Sequence, residues 1–374
     1  MFIKRLRLKN LLSFRDTTVE LGPLNVLIGA NGSGKSNLID VIGLLQAAPT
    51  DNLRPAVIAG GARAWISLAE GAKPIAKIEA ELSLDSGDIT YDLSFTVSSN
   101  DFVVVSENLF DQGSGRPLFK RQGGTVWIRD DQADGLPIFD SVLAVYRDPR
   151  EQSITPLGRE LADIRIYREF LTSGRYARSR FGVVPSSLSA YGSLQDGGDN
   201  LALVLHQMGV RGLQDRIGQY LKRLNDRFGG VEVKVGQVAQ SYLQETGLLE
   251  LLPAVRMSDG TLKFLCLLAV LLDPEPPPLL CIEEPEVGLH PEAIQIVADL
   301  LIEASEKTQI VVTTHSEALV DAMSGRPEAV LVCERASDNG TQFRRLKAED
   351  LNLWLERYTL GELWRKGEIG GTRW

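Results

Sequence analysis

One stretch constrains the chain more than any other: Gly29-Ala30-Asn31-Gly32-Ser33-Gly34-Lys35-Ser36. The apolar run 24–28 before it reads as a strand, and the amphipathic run 37–45 after it reads as a helix. Strand, glycine-rich turn and helix in this order is the setting of a phosphate-binding loop. Gly29 and Gly34 let the backbone curl so that successive N–H groups face phosphate oxygens. The helix N-terminus adds partial positive charge beneath them. Lys35 can reach the β- and γ-phosphates, and the Ser36 hydroxyl can ligate Mg²⁺. Asn31, Gly32 and Asn37, inside or next to the loop, complete the expected nucleotide contacts.

The totals narrow the partners. Across 374 residues the net charge is −9, which argues against a generally basic nucleic-acid coat while leaving room for a local patch. Cys266, Cys281 and Cys333 sit in apolar runs without metal-ligand spacing, as small core residues of a reducing cytosol do. The start of the chain alternates charged and apolar residues like a strand, not a signal peptide, and the longest apolar run, near 262–272, is too short to span a bilayer. The expectation is a soluble cytoplasmic protein with no membrane partner.

Along the chain, 2–8 and 17–21 read as strands leading into the loop strand, and 49–64 reads as a loop. From 65 to 128 the period becomes two, with strands at 77–84, 91–97, 102–106 and 125–128 separated by glycine and serine breaks. Runs 158–173 and 200–228 carry helical spacing, with Leu201, Leu205, Leu213, Ile217, Leu221 and Leu224 as core positions. Between them Arg175, Arg178 and Arg180 form the densest basic cluster, readable as a solvated loop at least as well as a phosphate or nucleic-acid contact. The divisions expected are an N-terminal part of the nucleotide core (1–48), an antiparallel β-rich lobe (49–150), a helical lobe (151–250) and the second half of the core (251–374).

Four further patterns follow residue 250. The apolar run 279–282 ends in Glu283 and Glu284, as a buried parallel strand does when it delivers acids to the sheet edge where the phosphate loop sits. Glu283 would hold the Mg²⁺ shell and Glu284 would polarise the attacking water. Ser258 stands as a cap before the apolar helix that starts near Leu262. Pro285 to Pro291 make a turn, with Pro291 opening the next helix. A last apolar strand, 310–314, delivers His315 and Ser316 to the same edge.

Together GANGSGKS, SDGTLKFL, CIEEPEVGLHP and TTHS resemble the ABC-type ATPase heads of the RecF/SMC class. Within that class the chain looks most like stand-alone ATPases related to the OLD family. The LLSF turn and the tail LWLERYTLGELWRKGEIGG share in the resemblance. It implies an α/β fold, a P-loop NTPase head with a β-rich and a helical lobe, that dimerises around two ATP molecules. Lys35, Ser36 and Glu283 would bind ATP and Mg²⁺, while Ser258 and Gly260 would meet the γ-phosphate of the partner's ATP. Glu284 would be the catalytic base and His315 the γ-phosphate sensor; Asn10, Ser13 and Arg15 would line the turn near the nucleotide. Two departures stand out. The signature reads Ser-Asp-Gly-Thr rather than Ser-Gly-Gly-Gln, and the glutamine that links metal to the helical lobe has no clear position, with Val145 at its expected place and Gln152 nearby. Without heptads there is no long coiled-coil arm. About forty residues follow the strand at 329–334, too few for a nuclease domain, so any nuclease or other effector would be a separate chain. The function expected is an ATP-hydrolysing switch working with DNA or such an effector in phage defence or DNA repair. The competing expectation is a nucleotide-dependent scaffold with slow hydrolysis.

Overall fold

The computed structural model describes residues 1–59, 61–67, 74–98, 101–129, 131–135, 137–148, 152–172, 192–236, 238–336 and 340–371. The first strands are β1 Phe2–Leu11, β2 Phe14–Glu20 and β3 Leu24–Ile28, followed by helices α1 Lys35–Ala47 and α2 Leu53–Ala59. A run of strands comes next: β4 Ile75–Leu84, β5 Gly87–Ser98, β6 Asp101–Asp111, β7 Pro117–Gln122, β8 Thr125–Ile128 and β9 Asp131–Asp134. The middle of the chain holds α3 Val142–Val145, α4 Ile154–Ala162, β10 Arg165–Tyr167, α5 Leu201–Val210, α6 Gln214–Leu224, β11 Phe228–Val235, β12 Ala239–Glu245 and β13 Leu252–Pro253. The last third holds α7 Asp259–Leu271, β14 Leu279–Glu283, α8 Pro291–Ala304, β15 Gln309–Thr313 and α9 Glu317–Asp321. It ends with β16 Val330–Ala336, β17 Gly340–Arg345, α10 Ala348–Leu355 and α11 Leu360–Arg365.

Fourteen strands form one sheet in the order β10-β14-β15-β3-β16-β17-β2-β1-β4-β5-β6-β7-β8-β9, and β11-β12-β13 form a second. The pairings from β10 to β16 are parallel and those from β16 to β9 antiparallel. In the parallel half both faces are covered. Leu24, Val26 and Ile28 join one core cluster with Ile282 and Val312, while Leu27 points the other way and joins Cys281 and Val311. Continuous apolar runs are what such a strand needs, which is why β3, β14 and β15 read as runs and not as alternations. The three cysteines are buried and unpaired in these layers. Among the described residues no helix is long and apolar enough to cross a membrane.

The antiparallel half is held by a buried ion pair. Glu107 and Arg121 are 0% and 1% exposed, and the Arg121 Nη1 lies 3.6 Å from Glu107 Oε2. Glu107 also accepts from Tyr91 Oη at 3.0 Å, Ser141 Oγ at 2.5 Å and the Val142 N–H at 2.8 Å. Arg121 donates to the carbonyls of Gly123, Pro137 and Asp140. The pair thereby staples the segment before α3 onto β6 and β7.

Several elements differ from the sequence reading. The run 49–64, expected as a loop, contains α2: Pro55 lies in its first turn, where proline is tolerated, and Leu53 and Val57 are buried one turn apart. The run 158–173, expected as helix, is helical only to Ala162 and then forms β10. Leu157, Leu161 and Ile164 imitate helical spacing across that boundary, and all three are buried. The region 151–250 is not only helical, because β11 and β12 form a hairpin there with β13 beside it. Strands β7 and β9 were also missed. Arg175, Arg178 and Arg180 lie outside the described residues.

Candidate functional site

The C-terminal ends of β3, β15 and β14 lie side by side, in the register Leu27↔Thr313↔Glu283. That arrangement brings the glycine-rich loop, His315 and the Glu283–Glu284 pair, nearly 290 residues apart in the chain, to one edge. Two glycines of the loop are dictated by close approach. A Cβ at Gly29 would lie 2.3 Å from the Cys333 carbonyl oxygen, and one at Gly34 would lie 2.4 Å from Thr341 Oγ1, where φ is also +112°. Gly32 meets nothing within 4 Å and, with Asn31, lies exposed. A cleft of about 650 Å³ beside the loop is lined by Asn31, Gly32, Ser33, Glu334, Gln342 and Gly370.

Lys35 is 6% exposed and curls back into the loop, where Nζ donates to the carbonyls of Gly29 at 2.7 Å and Ala30 at 3.1 Å. Burial lowers its pKa, and the charge is held up in part by Glu284. Ser36 is exposed in the first turn of α1. Asn37 donates from Nδ2 to Ser13 Oγ at 2.7 Å, and Thr341 Oγ1 lies 2.7 Å from both Ser13 Oγ and the Ser33 carbonyl oxygen. The β1–β2 turn therefore meets the loop through Ser13, whereas the Asn10 side chain turns to the Ile75 carbonyl at 3.4 Å.

Just past the end of β14, Glu284 adopts φ +45°, a left-handed conformation that costs a non-glycine residue about 1–3 kcal/mol. Its N–H donates to the Thr313 carbonyl at 2.9 Å, and its Oε1 lies 3.9 Å from His315 Nε2. Burial, followed by the nearby Lys35 charge, lowers the His315 pKa below its ordinary 6.5. Glu286, which the sequence reading did not single out, holds this loop: its Oε1 accepts from Thr314 Oγ1 at 2.7 Å and the His315 N–H at 2.9 Å.

Ser258 is exposed and caps α7, accepting from the Thr261 N–H at 3.1 Å. Gly260 lies so close to the 284–288 turn that an added Cβ would be 3.0 Å from the Gly288 carbonyl oxygen. Lys263, one turn further on, donates to the carbonyls of Glu284 at 3.2 Å and Val287 at 2.6 Å. The start of α7 is thus tied to the acidic turn of its own chain.

The donor set suits a hard divalent cation. Ser36 and Asp40 lie one helical turn apart on α1, Asp40 shares a guanidinium with Glu283, and oxygen donors of this kind favour Mg²⁺. A positive charge already sits there: Arg168 pairs through Nη2 with Asp40 Oδ1 at 2.6 Å and through Nη1 with Glu283. The buried Ser33 Oγ has no hydrogen-bond partner inside the loop, as expected of a cradle built for an outside acceptor. Neither Val145, 55% exposed on α3, nor Gln152 is the residue that reaches Glu283; Arg168 is. Asp40 was legible, being four residues after Ser36. Arg168 was not, because its strand has three residues and was read as helix.

Comparison with known proteins points the same way. Residues 24–321 match the family described as "AAA domain, putative AbiEii toxin, Type IV TA system". The "DNA double-strand break repair Rad50 ATPase" of Sulfolobus acidocaldarius is 56% identical over 43 residues, which is 11% of this chain and 5% of that protein. The chain therefore matches only a small part of that relative. A crystal structure of an Smc head bound to the C-winged helix domain of ScpA has a TM-score of 0.57 at 14% identity, covering 94% of this chain and 99% of that one. The Smc head with an extended coiled coil from Pyrococcus furiosus, bound to the C-terminal domain of ScpA, gives 0.57 at 15% identity over 95% and 98%. At such identities the likeness is one of fold. Since the family match covers most of its length, the chain belongs to that AAA-domain family, and its fold is that of the Smc heads.

Proposed function

We propose that the protein binds Mg·ATP at the edge of β3, β14 and β15, dimerises head to head around it, and hydrolyses it as a switch. The observation that carries this reading is the meeting of Glu284 with His315 at 3.9 Å beside the buried Lys35. Lys35 would turn its ammonium from two loop carbonyls to the β- and γ-phosphates, exchanging neutral acceptors for charged ones. Ser36 and Glu283 would hold Mg²⁺, which supplies charge neutralisation on the phosphates. Glu284 would accept the proton of the attacking water. His315, kept neutral by burial and Lys35, would donate a hydrogen bond to the γ-phosphate without adding repulsion against Lys35. Ser258 and Gly260, exposed or half-exposed at a helix N-terminus, would meet the partner's γ-phosphate.

The Rad50 segment supports a role with DNA, and the resemblance of the motifs to OLD-like ATPases supports one in phage defence with a separately encoded effector. One observation favours slow turnover in a scaffold: Glu283 is already paired with Arg168. The test of assembly is light scattering of Glu284→Gln with and without Mg·ATP, compared with the double variant Ser258→Arg, Glu284→Gln. The single variant is expected to dimerise on ATP and the double variant to stay monomeric. Equal dimerisation would reduce Ser258 to a helix cap.

A further inference from the structure

Arg168 is the residue that the parallel register places beside the metal-site carboxylate. Strand β10 pairs with β14 in the register Tyr167↔Ile282, so the next residue on each strand, Arg168 and Glu283, emerge together at the sheet edge. From α1, Asp40 reaches the other half of the same guanidinium at 2.6 Å. An arginine offers donors only and is always charged, so it cannot ligate a cation; it can only compete with one. The two carboxylates come from different elements, and the guanidinium is what neutralises both.

The same short strand is tied to the helical lobe. Tyr167 is buried, and its hydroxyl donates to the Leu194 carbonyl at 2.7 Å. Phe170 stacks on Tyr167 with ring centroids 5.6 Å apart and bridges to Gly197, and the Leu171 N–H donates to the Gly197 carbonyl at 3.1 Å. Asn200 Oδ1 accepts from the Gln195 N–H at 2.8 Å, and α5 begins at the following residue. Helix α5 in turn packs on α7, whose first turn carries Gly260 behind the Ser258 cap.

We propose that Arg168 is an internal counter-cation: it holds Asp40 to Glu283 in the nucleotide-free protein, competes with a divalent cation for them, and signals its release through the contacts of 167–171 with 194–200 to α5 and α7. This deepens the ATPase reading and rests on it for the identity of the site. Arg168 is a positioning residue here, because it acts on the carboxylates and not on the substrate. Its removal leaves two facing carboxylates uncompensated, and each then attracts a divalent ion more strongly.

The experiment uses the full chain without nucleotide and Mn²⁺ alone as the probe, counted by electron paramagnetic resonance. Arg168→Gln is expected to bind Mn²⁺ about tenfold more tightly than the wild type, an electrostatic gain that shrinks with added salt. Arg168→Lys keeps the charge but not the two-pronged bridge, so it should fall between them; it also serves if the glutamine variant does not fold. Mn²⁺ affinity that is unchanged or weaker in both variants would overturn the proposal. A parallel titration of the wild type with Mg·ATP tests the underlying reading separately. If ATP does not bind while Arg168→Gln still tightens Mn²⁺, the ATPase reading falls and the counter-cation stands.

Discussion

The two halves of the main sheet bury charge in opposite ways. In the antiparallel half, Glu107 and Arg121 are almost fully enclosed, and their hydrogen bonds close on Tyr91, Ser141, Val142 and nearby carbonyls. In the parallel half, the carboxylates of Asp40, Glu283 and Glu284 stay partly open to solvent, and the buried Lys35 is satisfied only by carbonyls of its own loop. An enclosed, satisfied pair fixes a shape. Half-open charges with replaceable partners can change partners when a ligand arrives. The contrast distinguishes a structural staple from a site on electrostatic grounds alone.

Breaking the open half should abolish ligand binding while sparing the fold. Lys35→Ala should eliminate detectable ATP binding by calorimetry, since it removes the ammonium proposed to turn to the β- and γ-phosphates. Unchanged affinity would show that the loop is not the nucleotide site. Glu284→Gln should keep ATP affinity and lose turnover by roughly 10²–10⁴-fold, the usual range for general-base help. Glu283→Gln should instead weaken Mg²⁺-dependent binding, and identical behaviour of the two variants would erase the division of roles between them.

Breaking the enclosed half should do the reverse. Glu107→Ala leaves Arg121 buried without its counter-charge, a change that costs about 3–5 kcal/mol in denaturant titrations. The fraction that remains folded should bind ATP as before, so a loss of affinity beyond the loss of folded protein would mean that the halves are coupled. The smallest effect expected is in pH. His315 has a folded pKa below 6.5, so the neutral form prevails above it, and acid opposes folding by forcing a proton onto a half-exposed ring beside Lys35. Turnover and stability should both fall as pH drops through that lowered value, and His315→Gln should flatten the acid limb of the stability curve.

Much of the parallel half was legible because its strands are fully buried runs that end in the functional residues themselves. Leu279 to Glu283 and Gln309 to Thr313 announce both their burial and what they deliver. Ser258 was legible as a cap for the same local reason. Two things were not. The edge strand β10 is three residues long, and its neighbours Leu161 and Ile164 imitate a helix, so Arg168 had no visible route to Glu283. Thr341 and Ser13 meet the glycine-rich loop from 328 residues apart through a strand pairing that leaves no periodic trace. The hairpin β11–β12, by contrast, was legible: Val231-Glu232-Val233-Lys234-Val235 alternates as a half-buried strand does.

The central claim is that each working site takes its loop, Glu283, Glu284 and His315 from one chain and its Ser258 end from another. The direct measurement is ATP turnover in a mixture of Ser258→Arg and Glu284→Gln, combined in equal amounts before nucleotide is added. Each variant alone should be nearly inactive. In a head-to-head pair, the mixed dimer rebuilds one intact site from the acidic turn of the first variant and the Ser258 end of the second. Random pairing should then restore about a quarter of wild-type turnover. A mixture as inactive as its components would contradict the account and place all of the chemistry within a single chain.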